Sequence, residues 1–250
     1  MPEKDSPGLA RVRTMPAEQP AAWQPSDTEL FTTHGDAFVP HRREQIAVVC
    51  DLLAGIPEPR VLDLCCGEGL LSAEYLRRDT RARVTLLDGS PEMLDKAAAR
   101  LAPFAGRWER VRADIHDRDW RRGAFGGVMT SLAVHHLDGA GTRELYRDLH
   151  GMLVPGGVFV MADLVEPAGA RARAVAAEHW DRAVRDAGGD EAARAFERAE
   201  WNYYRLPGPD PLDTPSSVAE HLTWLADAGF ADADVVWLHA GHAIFTATRP

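Results

Sequence analysis

Val61-Leu62-Asp63-Leu64-Cys65-Cys66-Gly67-Glu68-Gly69 is the stretch whose reading decides the fold. An apolar run suited to a buried strand passes into a turn with glycines at alternate positions, and the helix-forming segment Leu70 to Arg78 follows. In open sheets built this way, ligands bind outside the carboxyl ends of the strands near the switch in strand order, so this turn lies where a nucleotide-like ligand sits. Gly67 and Gly69 let the backbone come close to such a ligand where a side chain would collide. A two-glycine turn alone does not separate a ligand loop from a tight connection.

Outward from this turn, β-rich runs alternate with helical ones. Strands are predicted at Arg60 to Leu64, Arg83 to Leu87, Arg110 to Arg112, Gly127 to Ser131 and Gly157 to Asp163. Helices are predicted at Leu70 to Arg78, at Pro91 to Leu101 with Ser90 as N-cap, and at Thr142 to Leu153. Such alternation implies right-handed crossovers and a parallel sheet covered on both faces. Upstream, Asp27 to Leu53 carries Ile46, Val49, Leu52 and Leu53 at helical spacing and is interrupted near Gly35 and Pro40, which predicts one or two helices against the core. After Asp163 the alternation stops. Ala168 to Asp186 and Glu191 to Tyr204 read as an inserted helix pair broken at Gly188-Gly189, and Arg205 to Pro215 as a stiff proline-rich loop. A helix at Ser216 to Ala228 then leads to Ala233 to Leu238 and Ala243 to Thr248, which can pair as an antiparallel hairpin around His239 to His242.

A chain of 250 residues suits one full α/β domain with additions. Residues 1–26, with prolines among charged groups, read as a disordered tail, and 27–250 as a single domain. No apolar run approaches the roughly 18 residues of a membrane span, and the start of the chain has no secretory h-region, so a cytoplasmic enzyme is expected. The formal charge of -10 argues against a phosphate-backbone binder. Arg107 to Arg122, the densest basic stretch, is interleaved with Glu109, Asp114, Asp117 and Asp119 and reads as a solvated mixed face. Cys50, Cys65 and Cys66 fit neither a disulfide framework nor a zinc site. His239 and His242 flank the last turn without an evident third ligand, so no metal is expected.

Asp88 closes the second predicted strand about 20 residues beyond the turn, from where a carboxylate can accept bonds from a ribose diol. A nicotinamide enzyme would carry the same acid. The dinucleotide fingerprint fails, however: Gly67 and Gly69 are followed by Ser72. Asp63 would repel a pyrophosphate and suits a cationic amino acid. S-adenosylmethionine, with an ammonium, a sulfonium and no phosphate, is such a ligand.

Val61 to Gly69 resembles the first motif of class I S-adenosylmethionine-dependent methyltransferases, an acid followed by glycines at alternate positions. Leu87 to Leu94 resembles the family's second-strand acid with its helix, Ala113-Asp114-Ile115 its adenine-contacting acid, and Val128 to Leu137 its fourth-strand motif. Leu153 to Gly157 resembles the turn into the fifth strand, and Leu225 to Phe230 the lead into the terminal hairpin. The resemblance implies an α/β, Rossmann-like, mostly parallel seven-stranded sheet with a C-terminal antiparallel hairpin, N-terminal helices over 27–55 and a helical substrate cover over 166–213. It places Asp63, Cys65, Gly67 and Gly69 at the methionine part of the cofactor, and Asp88 with Gly89 at the ribose. Asp114 and Ile115 fall at the adenine, Ser131 joins the cofactor set, and Met93 packs on the ring or only in the core. Cys65 stands where the family has its first glycine, which adds a Cβ beside the methionine part.

Methyl transfer is an in-line displacement on an already electrophilic sulfonium, so the protein aligns a nucleophile and, where needed, removes its proton. His135 and His136 follow the fourth strand, and adjacent residues point different ways, so one of them, His135 first, is the candidate base. Both can equally be structural. Trp180, Tyr203 and Tyr204 in the insertion, with Phe38 and Arg42 upstream, are the candidate substrate contacts, and the tryptophan alternatively fixes the inserted helices to the sheet. The expected activity is methylation of a small-molecule acceptor by a monomer or homodimer. Cyclisation or elimination on the cofactor, tRNA modification, and a non-catalytic binding module are the alternatives.

Overall fold

The computed structural model describes residues 25–208, 210 and 212–250. The expected tail therefore lies outside the described residues, except Pro25 and Ser26, which open the first helix. The strands are β1 (Arg60–Leu64), β2 (Arg83–Asp88), β3 (Trp108–Arg112), β4 (Phe125–Ser131), β5 (Leu153–Leu164), β6 (Ala231–His239) and β7 (His242–Thr248). They form one seven-stranded sheet in the order β3-β2-β1-β4-β5-β7-β6. From β3 to β5 all pairs are parallel, whereas β7 runs antiparallel to both β5 and β6. Strand order reverses between β1 and β4, the place where an α/β sheet opens a ligand crevice. Among the described residues no helix is long and apolar enough to cross a membrane.

Side-chain alternation along the buried strands divides the core into two layers. Val61, Val84, Leu86 and Met129 face α2 (Arg42–Leu52), α3 (Leu70–Arg78) and α4 (Pro91–Arg100) through Val49, Leu53, Leu71, Leu76 and Leu94. Leu62, Leu64, Leu87 and Val128 face the opposite way, onto Leu145, Tyr146 and Leu149 of α5 (Gly139–Met152) and Leu225 of α7 (Val218–Asp227). A third cluster joins α1 (Pro25–Phe38) to the long α6 (Ala170–Arg198) through Phe38, Trp180, Val184 and Phe196.

Several boundaries move for identifiable reasons. Gly35 lies inside α1, and the chain breaks instead at Val39-Pro40-His41, where His41 is left-handed (φ 51). Helix α5 starts at Gly139, three residues before the expected Thr142, because Asp138 caps it by accepting from the Gly141 amide at 2.8 Å. Strand β5 begins at Leu153, which pairs with Phe125 beyond a register shift. In α6 the Gly188-Gly189 break is a kink at Gly189 (φ 65, ψ -165). The second inserted helix stops at Arg198 rather than Tyr204, and a 3-10 turn, Tyr203–Arg205, follows with Asn202 as its cap.

Gly126 lets the start of β4 pass against the segment leading into β1: a Cβ there would overlap the Glu58 carbonyl, and backbone cannot swing aside as a side chain can. Gly126→Ala should lose about 3 kcal/mol or more. Gly151 in α5 has open space around it, so Gly151→Ala should gain about 0.5–1 kcal/mol. Urea unfolding of both variants measures the contrast, and equal midpoints would contradict the proposed closeness of β4 to the chain at Glu58.

Candidate active site

The quoted turn is tied together by two carboxylates. Asp63, 1% exposed near the end of β1, accepts from the Ser72 hydroxyl at 2.5 Å on the first turn of α3. Asp88 at the end of β2 accepts from the Gly67 amide at 2.9 Å and the Ser90 amide at 2.8 Å, so it staples the glycine turn to the start of α4. The Cys66 amide donates to the Leu87 carbonyl at 2.9 Å, fixing the turn to β2 a second time. Gly67 is left-handed (φ +52), with open space where a Cβ would point. Gly69 caps α3. Ser72, the residue that breaks the dinucleotide fingerprint, holds Asp63 in place.

Beyond β3, Asp114 accepts from the His116 amide at 2.9 Å. It stands close to Gly89, whose Cβ would lie 3.7 Å from a carboxyl oxygen of Asp114. Ile115 and Met93 are buried, and the Met93 amide donates to Ser90 Oγ at 3.3 Å. Cys65 lies in the middle of these acids. Burial pushes its thiol up, and Asp88, Asp114, Asp63 and Asp163 push it further. Burial likewise pushes Asp63 up to about 7 against its bonds with Ser72, and Asp88 adds to the rise. The Asp88 carboxyl is raised too, first by burial. Buried carboxylates raised in this way favour any ligand that brings positive charge. The residues thus fit adenosylmethionine, whose ammonium and sulfonium supply that charge where Gly67 leaves room.

The opposite wall is built at the ends of β4 and β5. Ser131 closes β4, and a 3-10 turn, Val134–His136, follows. Asp163, 1% exposed, accepts on Oδ2 from the amides of Ala133 (3.3 Å), Val134 (2.7 Å) and His135 (3.3 Å). Its Oδ1 accepts from the Leu164 amide at 2.8 Å and lies 2.5 Å from His135 Nδ1. His135 Nε2 lies 3.5 Å from Asp213, which is 3.0 Å from His136 Nδ1. Burial would lower the His135 pKa, but Asp163 and then Asp213 carry it up to about 9. Both ring nitrogens thus face carboxylates, an arrangement that favours the protonated ring. Burial would raise the Asp163 carboxyl, and His135 holds it below the usual carboxylate range.

Sequence reasoning missed Asp163 and Asp213. Asp163 ends a predicted strand on the ligand-binding side of the sheet, which was a usable signal. Asp213 lies in the proline-rich loop and shares no spacing with the histidines.

The aromatic candidates divide. Phe38 is 0% exposed and its carbonyl accepts from Trp180 Nε1 at 2.7 Å. The Tyr204 hydroxyl lies 2.7 Å from the carbonyls of both Val165 and Gly241. These three hold the insertion to the sheet. Tyr203 is half-buried under the Arg173 guanidinium, 4.6 Å from its ring centroid. Arg42 joins Asp36 of α1 at 3.1 Å and Glu68 of the glycine turn at 3.8 Å. His242 is buried against Trp180, and burial lowers it to about 4.

A Rossmann-like sheet with an acid-ringed crevice at its switch point is the scaffold of an enzyme class that binds a cationic nucleoside cofactor. The sequence profile of a family described as "Methyltransferase domain" matches residues 61–157. A trans-aconitate 2-methyltransferase of Methylobacterium radiotolerans is 31% identical over 245 residues, covering 92% of this chain and 81% of that protein. An uncharacterized methyltransferase of Synechocystis is 35% identical over 115 residues, 46% of this chain. That match spans 51% of the cyanobacterial protein, and the chain covers about half of several further curated relatives. An O-methyltransferase family protein from Burkholderia thailandensis shares the fold, with a TM-score of 0.65 at 20% identity over 89% of this chain and 59% of that one. The chain belongs to the class I S-adenosylmethionine-dependent methyltransferases.

A carboxyl group holds a cation only when ionised, and burial pushes that of Asp63 up to about 7. Cofactor affinity should therefore rise with pH up to about 7, by at most about tenfold per unit, and then level off. Asp63→Asn should flatten this dependence and weaken binding about 10- to 100-fold. Calorimetry from pH 5 upward in buffers of different ionisation enthalpy tests both, and a pH-independent affinity in the parent protein would reject the assignment.

Cys65 occupies the family's glycine position in a left-handed conformation (φ 55), whereas Cys66 is buried without a positive φ. Relief of about 1–2 kcal/mol of left-handed strain roughly offsets the entropy cost of a glycine. Cys65→Gly should stay within about 1 kcal/mol of the parent, and Cys66→Gly should lose about 1–3 kcal/mol. Chemical denaturation distinguishes the two, and a larger loss at Cys65 would contradict the strain argument.

Proposed function

We propose that the chain transfers the methyl group of S-adenosylmethionine to a small-molecule acceptor, a metabolite or natural-product scaffold, held beneath α1, α2 and α6. The supporting observation is that Asp63, Asp88, Asp114 and Asp163 all act on Cys65 in the glycine turn. The bound cofactor supplies an electrophilic methyl group on a sulfonium. Asp63 and the backbone from Cys65 to Gly69 receive the methionine part. Asp88, which keeps acceptor capacity beyond its amide bonds, receives the ribose hydroxyls with Gly89 beside it. Asp114, Ile115 and Met93 frame the adenine, and Ser131 completes the cofactor wall. His135 and His136 border the acceptor, and His135, held by Asp163, positions it rather than taking its proton.

Arg42 and Tyr203 are the candidate substrate contacts in the cover. Phe38, Trp180 and Tyr204 serve it by packing. The trans-aconitate relative acts, by its name, on a small organic acid, and the formal charge of -10 disfavours an RNA acceptor. We take 27–250 as the working unit and the cytoplasm as its site.

Incubation with adenosylmethionine and a panel of small hydroxy, amino and carboxylic acids, read by mass spectrometry, tests the proposal. Adenosylhomocysteine should form in step with an acceptor heavier by one methylene group. Release of methylthioadenosine would replace methyl transfer with cyclisation, and methylated tRNA with salt-dependent RNA binding would move the acceptor to nucleic acid.

A further inference from the structure

Two histidines, one of them expected as a base, and one acid of the proline-rich loop form a cluster that proton transfer leaves unexplained. His135 Nε2 and His136 Nδ1 stand 3.5 Å and 3.0 Å from the same oxygen, Asp213 Oδ1. One donor atom from each of the three residues lies within 4.8 Å of the others. An ion of the zinc type, bound at about 2.0–2.1 Å in tetrahedral geometry, holds neighbouring donors about 3.3 Å apart. Both contacts to Asp213 fall close to that spacing.

The surroundings are those of a ligand set. Asp163 is occupied by backbone amides on both oxygens and holds His135 through Nδ1, so Nε2, 3.5 Å from Asp213, is the ring nitrogen at which an entering ion would replace a proton. A carboxylate behind a ligating imidazole is how proteins fix the tautomer and raise the basicity of a metal-bound histidine. The third ligand is anchored too: the Thr214 amide donates to the His135 carbonyl at 2.7 Å, which holds the loop beside Asp213 to the 3-10 turn. Leu212 O also lies 3.3 Å from His136 Nδ1. His135 and His136 follow Ser131 at the end of β4, on the same side of the sheet as the end of the parallel strand β1 and its glycine turn.

We propose that His135, His136 and Asp213 bind one divalent transition-metal ion of the zinc class, with a coordination position open toward the acceptor. Two imidazoles and a carboxylate are borderline donors that suit zinc, cobalt or iron better than magnesium or calcium. The open position suits an oxygen of the acceptor, whose proton the ion makes easier to lose, and that role rests on the methyl-transfer reading.

The test uses the full chain after chelator treatment, without cofactor or acceptor. Zn2+ is titrated by calorimetry and Co2+ by visible absorption. One equivalent per chain should bind, with a cobalt band of low-coordinate nitrogen and oxygen ligation. Asp213→Ala and His136→Ala should each weaken uptake at least about tenfold. Should the alanine variant of Asp213 misfold by circular dichroism, Asp213→Asn decides in its place, also with weakened uptake. A second histidine group, in which the His239 ring centroid lies 4.9 Å from that of His41 and 5.8 Å from that of His179, could take up metal incidentally. His239→Ala controls for it and should leave the equivalent intact. No stoichiometric uptake, uptake undiminished in the Asp213 and His136 variants, or uptake lost in His239→Ala overturns the proposal. Because the readout is metal alone, that failure leaves methyl transfer standing, and absence of methyl transfer leaves metal uptake standing.

Discussion

The rest of the site depends on one buried charge, the carboxylate of Asp163. An isolated carboxylate in the interior costs several kcal/mol, and removing one partner of a buried pair costs about 3–5 kcal/mol. Asp163 avoids this cost by taking backbone amides from the turn after β4 and from its own strand, together with His135. The same bonds decide geometry. They bend the chain leaving β4 into the Val134–His136 turn, present His135 to Asp213, and through Thr214 draw the loop after α6 onto the sheet. Strand β5, β4 and the inserted region thus meet at one side chain.

Asp88 does the corresponding work on the other side of the switch point. It orders the glycine turn through Gly67 and the start of α4 through Ser90. Between the two acids lies Cys65, in a region of the molecule where negative charge accumulates without neutralising partners at Asp63 and Asp88. Such a crevice is unfavourable in isolation and becomes favourable when a cation enters it. A nicotinamide dinucleotide, which brings a pyrophosphate, would meet repulsion here.

The sequence carried the sheet because its central strands are buried on both faces and alternate with helices of ordinary length. Helix α3 was legible to the residue, since Gly69 opens it and two arginines close it. What stayed hidden depends on contacts distant in sequence. The start of β5 is set by pairing with Phe125, and the end of the second inserted helix by Asn202 capping a different turn. At the candidate site, the gathering of Asp63, Gly67 and Asp88 around one turn could be read because the motif is local. The state of His135 could not, because Asp163 and Asp213, from β5 and a later loop, decide it. Residue type alone proposes a base, and two carboxylates convert it into a cation or a ligand.

The cover illustrates the same division between residue type and environment. Aromatic side chains in an insertion suggest substrate contacts, yet those of Phe38, Trp180 and Tyr204 are buried among one another, with the Trp180 indole and the Tyr204 hydroxyl bonded to backbone carbonyls. A buried polar tip that satisfies a carbonyl cannot also recognise an acceptor without leaving that carbonyl unpaired, at about 1–3 kcal/mol. On the proposed methyl-transfer reading, discrimination among acceptors falls to the polar groups of the cover. Arg42 links the cover to the glycine turn at Glu68, and Tyr203 lies under Arg173, which is itself paired with Glu166. An acceptor that exchanged partners with these charged groups would be selected by its polar pattern more than by its shape.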